Sequence, residues 1–352
     1  MSVAGPLVRS RRLGPLVAAL LLAGTVACAP ISTAATRLVP SEPAPVAVAQ
    51  PPAAPNPGSI AVAPPAVQQA AELPAGRILY VRDSNLWLWQ GGASHQFSDG
   101  GTWTQPSFSP GGKEIAYIYW ESNFSDLFVM GADGSNNQRL TRNQAAMVMD
   151  NSWAFRPAFS PDGERLAYAS DANSRFPQLW LIGKDGSNRR QVTLDQFYEE
   201  SWVDALTWDP KGGRLAVTGA PNMRDPSHIY LVDLALTTTE RLTNHPNGAF
   251  DPSWSPDGSA IAYIGRPGQV GELWVRTVDS ERMGHVEGLS FVRSPTWSPD
   301  GKSLAFLAQQ NGAFEIFVLS VRATETGFEF GEPRQLTRDA AVDPMSGLTW
   351  TR

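Results

Sequence analysis

The chain has 352 residues and a formal charge of −6, with 31 Gly, 29 Pro, 12 Trp, four His and one Cys. Gly and Pro, about a sixth of the chain, demand many turns and exclude a long-helix or coiled-coil protein. The 28 basic and 34 acidic residues argue against nucleic acid as a partner, and one Cys allows neither an internal disulfide nor a Cys-based zinc site.

Arg9, Arg11 and Arg12 precede an apolar stretch of 15 residues, 13–27, ending in Thr25-Val26-Ala27-Cys28. A basic region, a short apolar core and small residues before a cleavage point spell an export signal; a transmembrane helix needs roughly 20 apolar residues. Residues 1–27 are therefore read as a signal peptide. The segment resembles the signal of bacterial lipoproteins, which implies that Cys28 is lipidated and becomes the mature N-terminus. Ordinary cleavage after Ala27, with Cys28 a free thiol, is the alternative.

Residues 28–75 follow, mostly Ala, Pro, Val, Ser and Gln, with 11 Pro between positions 30 and 74 and no aromatic side chain. Such a segment buries too little to offset its ordering entropy. It is predicted to be a disordered tether leaning toward polyproline II, extending up to ~3 Å per residue.

Residues 76–352 hold 24 basic and 32 acidic residues, a formal −8, and all 12 Trp. One pattern recurs through them. Pro106-Ser-Phe-Ser-Pro-Gly-Gly-Lys-Glu-Ile-Ala-Tyr117 returns as Pro157-Ala-Phe-Ser-Pro-Asp-Gly-Glu-Arg-Leu-Ala-Tyr168. A degenerate copy, Leu206-Thr-Trp-Asp-Pro-Lys-Gly-Gly-Arg-Leu-Ala-Val217, precedes two clean ones that start at Pro252 and Pro295. The anchors Phe108, Phe159, Trp208, Trp254 and Trp297 are 51, 49, 46 and 43 residues apart.

The spelling has a physical reading. An aromatic and an Ile/Leu-Ala-Tyr run suit strands buried on both faces, and the small Ala lets neighbouring sheets approach. Ser-Pro-Asp-Gly between them is a tight turn, in which Pro presets φ, Asp caps and Gly accepts φ > 0. Asp162, Asp257 and Asp300 are accordingly read as turn caps rather than metal ligands. A second hairpin follows each copy, as in Leu127-Phe-Val-Met130 leading to Arg139-Leu140-Thr141. Four strands per repeat is the content of a propeller blade. Trp350 lies 53 residues after Trp297, in phase, while Arg77-Ile-Leu-Tyr80 supplies the missing second half. The prediction is an all-β, six-bladed propeller whose last blade joins one C-terminal strand to three N-terminal ones, removing the open sheet edge.

This signature resembles the WD40-like (PD40) repeat of TolB-type propellers over residues 77–352. TolB proteins carry a further α/β domain before the propeller, where this sequence has the Ala/Pro-rich segment. The resemblance implies an extracytoplasmic propeller and, by fold analogy, an envelope protein or peptidoglycan-associated component as partner.

In such a fold the loops before the innermost strands surround the central channel. Those loops, with the starts of the strands, supply the candidate binding residues Gln105, Trp153, Arg156, Tyr198, Trp202, Asp204, Asp251 and Arg293. Aromatics beside a few charges are what an interface uses, although the same aromatics also suit plugs between blades. The acidic residues among them favour basic or amine-bearing partners. His95, His228, His245 and His285 are scattered, and no Gly-x-Ser-x-Gly elbow or phosphate loop occurs. No cofactor, metal site or catalytic residue is assigned. The expected function is non-catalytic binding through the channel face by an exported, lipid-anchored protein, periplasmic or at the cell surface. The alternative is a glycan- or peptide-binding propeller, or a hydrolase or lyase using carboxylates such as Asp204 and Asp251.

Overall fold

Each copy of the repeat folds as one antiparallel sheet, and six such sheets are present in the computed structural model. It describes residues 74–352 except 198–199, 290 and 339. The predicted signal peptide, Cys28, nearly all of the tether and Tyr198 lie outside the described residues.

Blade 1 runs outward through Trp103–Phe108, Glu114–Trp120, Ser125–Gly131 and Gln138–Arg139. Blades 2, 3 and 4 repeat the plan from inner strands Ala154–Phe159, Trp202–Trp208 and Ala249–Trp254. Blade 5 starts at Val292–Trp297; its third strand, Ala313–Ala323, is long enough to pair with two short outer strands, Phe328–Phe330 and Arg334–Gln335. Blade 6 is the predicted closure. Thr349–Thr351 pairs with Arg77–Arg82 in the register Arg77↔Thr351 and Ile78↔Trp350. The inner strands of successive blades touch in a closed ring.

The core lies between blades. Each apolar cluster joins two adjacent sheets, as where Ala116, Ile118 and Leu127 of blade 1 meet Phe159, Tyr168 and Trp180 of blade 2. Ala116, Ala167, Ala216, Ala262 and Ala305 are all fully buried or nearly so. Burial on both faces explains why these strands read as continuous apolar runs rather than alternating ones.

Two recurring polar devices set the loops. In the Ser-Pro-Asp-Gly turns, Ser160, Ser255 and Ser298 donate to Asp162, Asp257 and Asp300 at 2.5–2.6 Å. These hydrogen bonds hold the three carboxyls below the usual carboxylate range, against some burial at Asp257. On the other face, Thr141, Thr243 and Thr337 accept from a backbone N–H early in the third strand, that of Leu127, Ile229 and Ile316, at 2.9 Å. Buried Asp126 and Glu315 then take the hydroxyls of Thr141 and Thr337 at 2.7 and 2.6 Å. In these three blades the ties fix where the channel-face loop departs. Among the described residues no helix is long and apolar enough to cross a membrane.

Candidate binding site at the channel mouth

The innermost strand of each of blades 1–5 carries a β-bulge just after its start, for example between Thr104 and Ser107 and between Phe250 and Ser253. In four of these the bulged residue is non-Gly in the left-handed region: Gln105, Arg156, Asp251 and Ser294, at φ 51, 50, 52 and 50°. Gly347 holds the same place in blade 6 at φ 79°. Pro follows each of the four, and its missing N–H leaves no orphan donor in the disrupted ladder. Left-handed backbone in an L-residue costs on the order of 1–3 kcal/mol, and such strain gathers at ligand sites. Side chains repair the freed backbone. Gln105 Oε1 accepts from Arg156 N at 2.8 Å, and Asp251 Oδ2 accepts from Ser294 N at 3.1 Å.

Arg156 fills the axis. Its Nε lies 3.5 Å from Asp204 Oδ1, too long for a good hydrogen bond, and Nη2 lies 3.9 Å from Asp251 Oδ1. The Arg156 side chain is 11 % exposed, and its Nε has no hydrogen-bond partner. Burial opposes its charge, but Asp204, Asp251 and Asp343 together raise its pKa above the ordinary value. Asp204 is raised as well, by burial first and by Asp251, against the pull of Arg156 and Arg293. Its side chain keeps 38 % exposure, so water at the mouth screens part of that push.

The other charges at the mouth are less matched. The Arg293 guanidinium meets Met345 Sδ at 3.8 Å, and that of Arg266 lies over the Phe250 ring at 4.6 Å from its centroid. Around them the rim is apolar. Antiparallel order places the fourth-to-first and second-to-third strand connections on one face. That face holds seven of the nine large hydrophobic side chains exposed among the described residues: Trp120, Met147, Val148, Met149, Met223, Phe291 and Met345. Leu236 and Met283 lie elsewhere.

Of the predicted residues, the structure brings Gln105, Arg156, Asp204 and Asp251 together, with Arg293 acting on Asp204. Trp153 stays out of this charged centre and packs on Trp120, ring centroids 5.2 Å apart, while its backbone N–H donates to Asp171 Oδ1 at 2.7 Å. Trp202 opens blade 3 opposite Ala220 and is half-buried. The axis is thus occupied by an arginine, while the aromatics form the rim. Sequence reasoning missed Trp120 and Arg266. Both stand four residues after the Ala of an Ile-Ala-Tyr run, Ala116 and Ala262, a spacing that returns the second strand to the channel face.

A groove of about 640 Å³ on the opposite face, beside Lys113, Asp133 and Lys184, carries no comparable set. Lys184 there is paired with Glu164 at 3.1 Å and Glu114 at 3.7 Å. Among the described residues no group of three or more His, Cys, Asp or Glu could hold a metal ion.

No protein-family model matches the chain. A TolB homolog of Chlorobium luteolum is 28 % identical over 156 residues, covering 44 % of this chain and 31 % of the relative. TolB from Acinetobacter baumannii superposes with a TM-score of 0.61 at 19 % identity, over 78 % of this chain and 66 % of that one. The propeller is TolB-like. The uncharacterized peptidase YuxL of Bacillus subtilis is 24 % identical over 184 residues, 51 % of this chain and 25 % of its own length. A chain of the nidogen–laminin complex shares the fold with a TM-score of 0.55 at 14 % identity, covering 79 % of this chain and 99 % of its own. The matches span a third or less of the curated relatives, so the likeness concerns the propeller and not those whole proteins.

Proposed function

We propose that the chain is a non-catalytic, exported propeller that binds a protein partner of the cell envelope through its channel face. Lipid on Cys28 holds it to a membrane, and the Pro-rich segment lets the propeller reach away from the anchor. The observation that carries this reading is the gathering of seven of the nine large apolar side chains exposed among the described residues on the face that holds the Arg156-filled mouth. Aromatic and Met-rich surface with a few fixed charges suits a protein interface. The TolB likeness favours an envelope component, including a peptidoglycan-associated one, as the partner.

The test places a photo-crosslinking side chain at position 149 on the channel face, or at position 236 on the opposite face, in envelope extracts. Discrete adducts are expected from position 149 alone; equal yields from both faces would refute the interface. Cys28→Ser is expected to move the protein from membranes to the soluble exported fraction, and retention in the membrane would end the lipid-anchor reading.

The rival reading uses the same mouth to bind or cleave a glycan or peptide. It draws on Asp204, whose carboxyl is raised and water-accessible beside Asp251. Turnover of a hydrolase or lyase substrate that disappears in Asp204→Ala would install that reading instead.

A further inference from the structure

Of Arg156, Arg266 and Arg293 at the channel mouth, only Arg156 has carboxylates within ion-pair distance among the described residues. Arg266 and Arg293 make no ion pair among the described residues: one guanidinium rests on Phe250, the other meets the Met345 sulfur. The Nε of Arg266 is buried without a hydrogen-bond partner. The two lie at the junction of blades 4 and 5, since Arg266 directly follows the second strand of one, Ala260–Gly265, and Arg293 is the second residue of the other's inner strand, Val292–Trp297. Phe250, on which Arg266 rests, adjoins Asp251, whose carboxylate accepts from the N–H of Ser294 next to Arg293. Burial and the Arg293 charge accordingly lower the pKa of Arg266, with Asp251 opposing. At the same junction Ser294 is 6 % exposed, holds in blade 5 the bulge place that Arg156 holds in blade 2, and has a hydroxyl with no partner. Asp251, whose charge acts on Arg266, already serves Arg156 and the Ser294 N–H.

Two like charges held together with orphan donors are unfavourable in isolation and favourable around an anion. From this geometry we infer that Arg266 and Arg293 jointly receive a carboxylate of the docked protein, a C-terminus or an acidic side chain. This deepens the channel-face reading and rests on it. A carboxylate matches the planar guanidinium fork with a single negative charge. A doubly charged phosphate would meet Asp204, Asp251 and Asp343 across the mouth, whose charges act on Arg156. Phe291, two residues before Arg293, and Met345, which meets its guanidinium, are both more than half exposed and favour a carboxylate carried on a protein segment over one on a sugar.

The test follows the Arg Nε–H resonances of the full chain labelled with 15N-arginine. The probes are N-acetyl-phenylalanine, its amide, N-acetyl-glutamyl-phenylalanine amide, glucuronate and inorganic phosphate. A saturable shift of the Arg266 resonance is expected with one or both free-carboxylate peptides, and whichever binds tighter identifies terminus or side chain. The amide is expected to give none. Arg293→Gln should weaken binding at least tenfold, whereas Lys113→Gln on the opposite face should not. No shift from either peptide, an equal shift from the amide, or tighter binding of glucuronate or phosphate would overturn the inference. Crosslinking from position 149 separates the two failures. If it persists undiminished in Arg266→Gln/Arg293→Gln, the carboxylate inference falls and the channel-face reading stands; if it is absent in the wild type, both fall.

Discussion

Arg156 of blade 2 and Gly347 of blade 6 meet at the channel axis: a Cβ on Gly347 would lie 3.4 Å from Arg156 Nη1. Blade 1 separates their sheets in the ring, so the contact exists only because Arg156 extends inward from its bulge.

Gly347→Ala tests that relation. Its φ of 79° strains any L-side chain, and the added methyl presses on a guanidinium already held by two carboxylates. The expected loss is about 1–3 kcal/mol, or roughly 2–4 °C of Tm for each kcal/mol in a domain of this size. Thermal unfolding checks it, and an unchanged Tm would contradict the close approach.

Arg156→Ala should be more damaging. It strands Asp251, whose side chain is 10 % exposed, without its counter-charge. Removing one partner of a buried pair costs about 3–5 kcal/mol, and the water reaching Asp204 puts this case at the lower end. Arg156→Ala/Asp251→Asn should lose less than the two single changes added together. A denaturant-unfolding double-mutant cycle reads the difference, and strict additivity would mean the pair is not coupled.

Acid should unfold the propeller in two stages. Burial, with Arg241, lowers the pKa of His228; burial, with His228 itself, lowers that of His245. Near pH 6.5 the unfolded chain therefore binds protons that the native chain refuses. Stability is complete above that pH and is lost as pH falls through the folded values. A second limb opens below about pH 4, where Asp162, Asp257 and Asp300, held low in their turns, take up protons. Urea midpoints between pH 7.5 and 5 should fall in the wild type and flatten in His228→Phe/His245→Phe. A flat wild-type profile would count against the first stage.

Val148→Asp/Met149→Asp separates binding from folding. Neither side chain is buried in the 3-10 turn Val148–Asp150, so stability should stay within about 0.5 kcal/mol. Adduct yield from a crosslinker at position 345 on the same rim should fall at least tenfold, while Leu236→Asp on the opposite face should leave it unchanged. Loss of Tm together with adducts would point to folding instead.

The readability of this protein follows the range of its interactions. Turn chemistry and strand patterning act over a dozen residues, so Ser-Pro-Asp-Gly and Ile-Ala-Tyr announce their hairpins wherever they recur. Five spaced copies then imply the ring, and the in-phase Trp350 implies its closure with residues 77–82. Even the division of loops between two faces follows from antiparallel order. Gln105, Arg156, Asp204 and Asp251 could be placed at the mouth on that basis.

Sequence alone, then, determined the blade count, the closure and the face that carries the exposed chemistry. Only the tertiary structure decided how the charges combine. Arg156 could have faced Asp204, Asp251 or solvent, and no spacing says which, because these residues come from three blades and meet only when the ring closes. The pairing of Arg156 with both carboxylates left Arg266 and Arg293 unmatched. A net charge of −6 contains no hint of that, since it counts charges without their distances. Coulomb energy and desolvation depend on those distances and on burial, and both are properties of the folded ring.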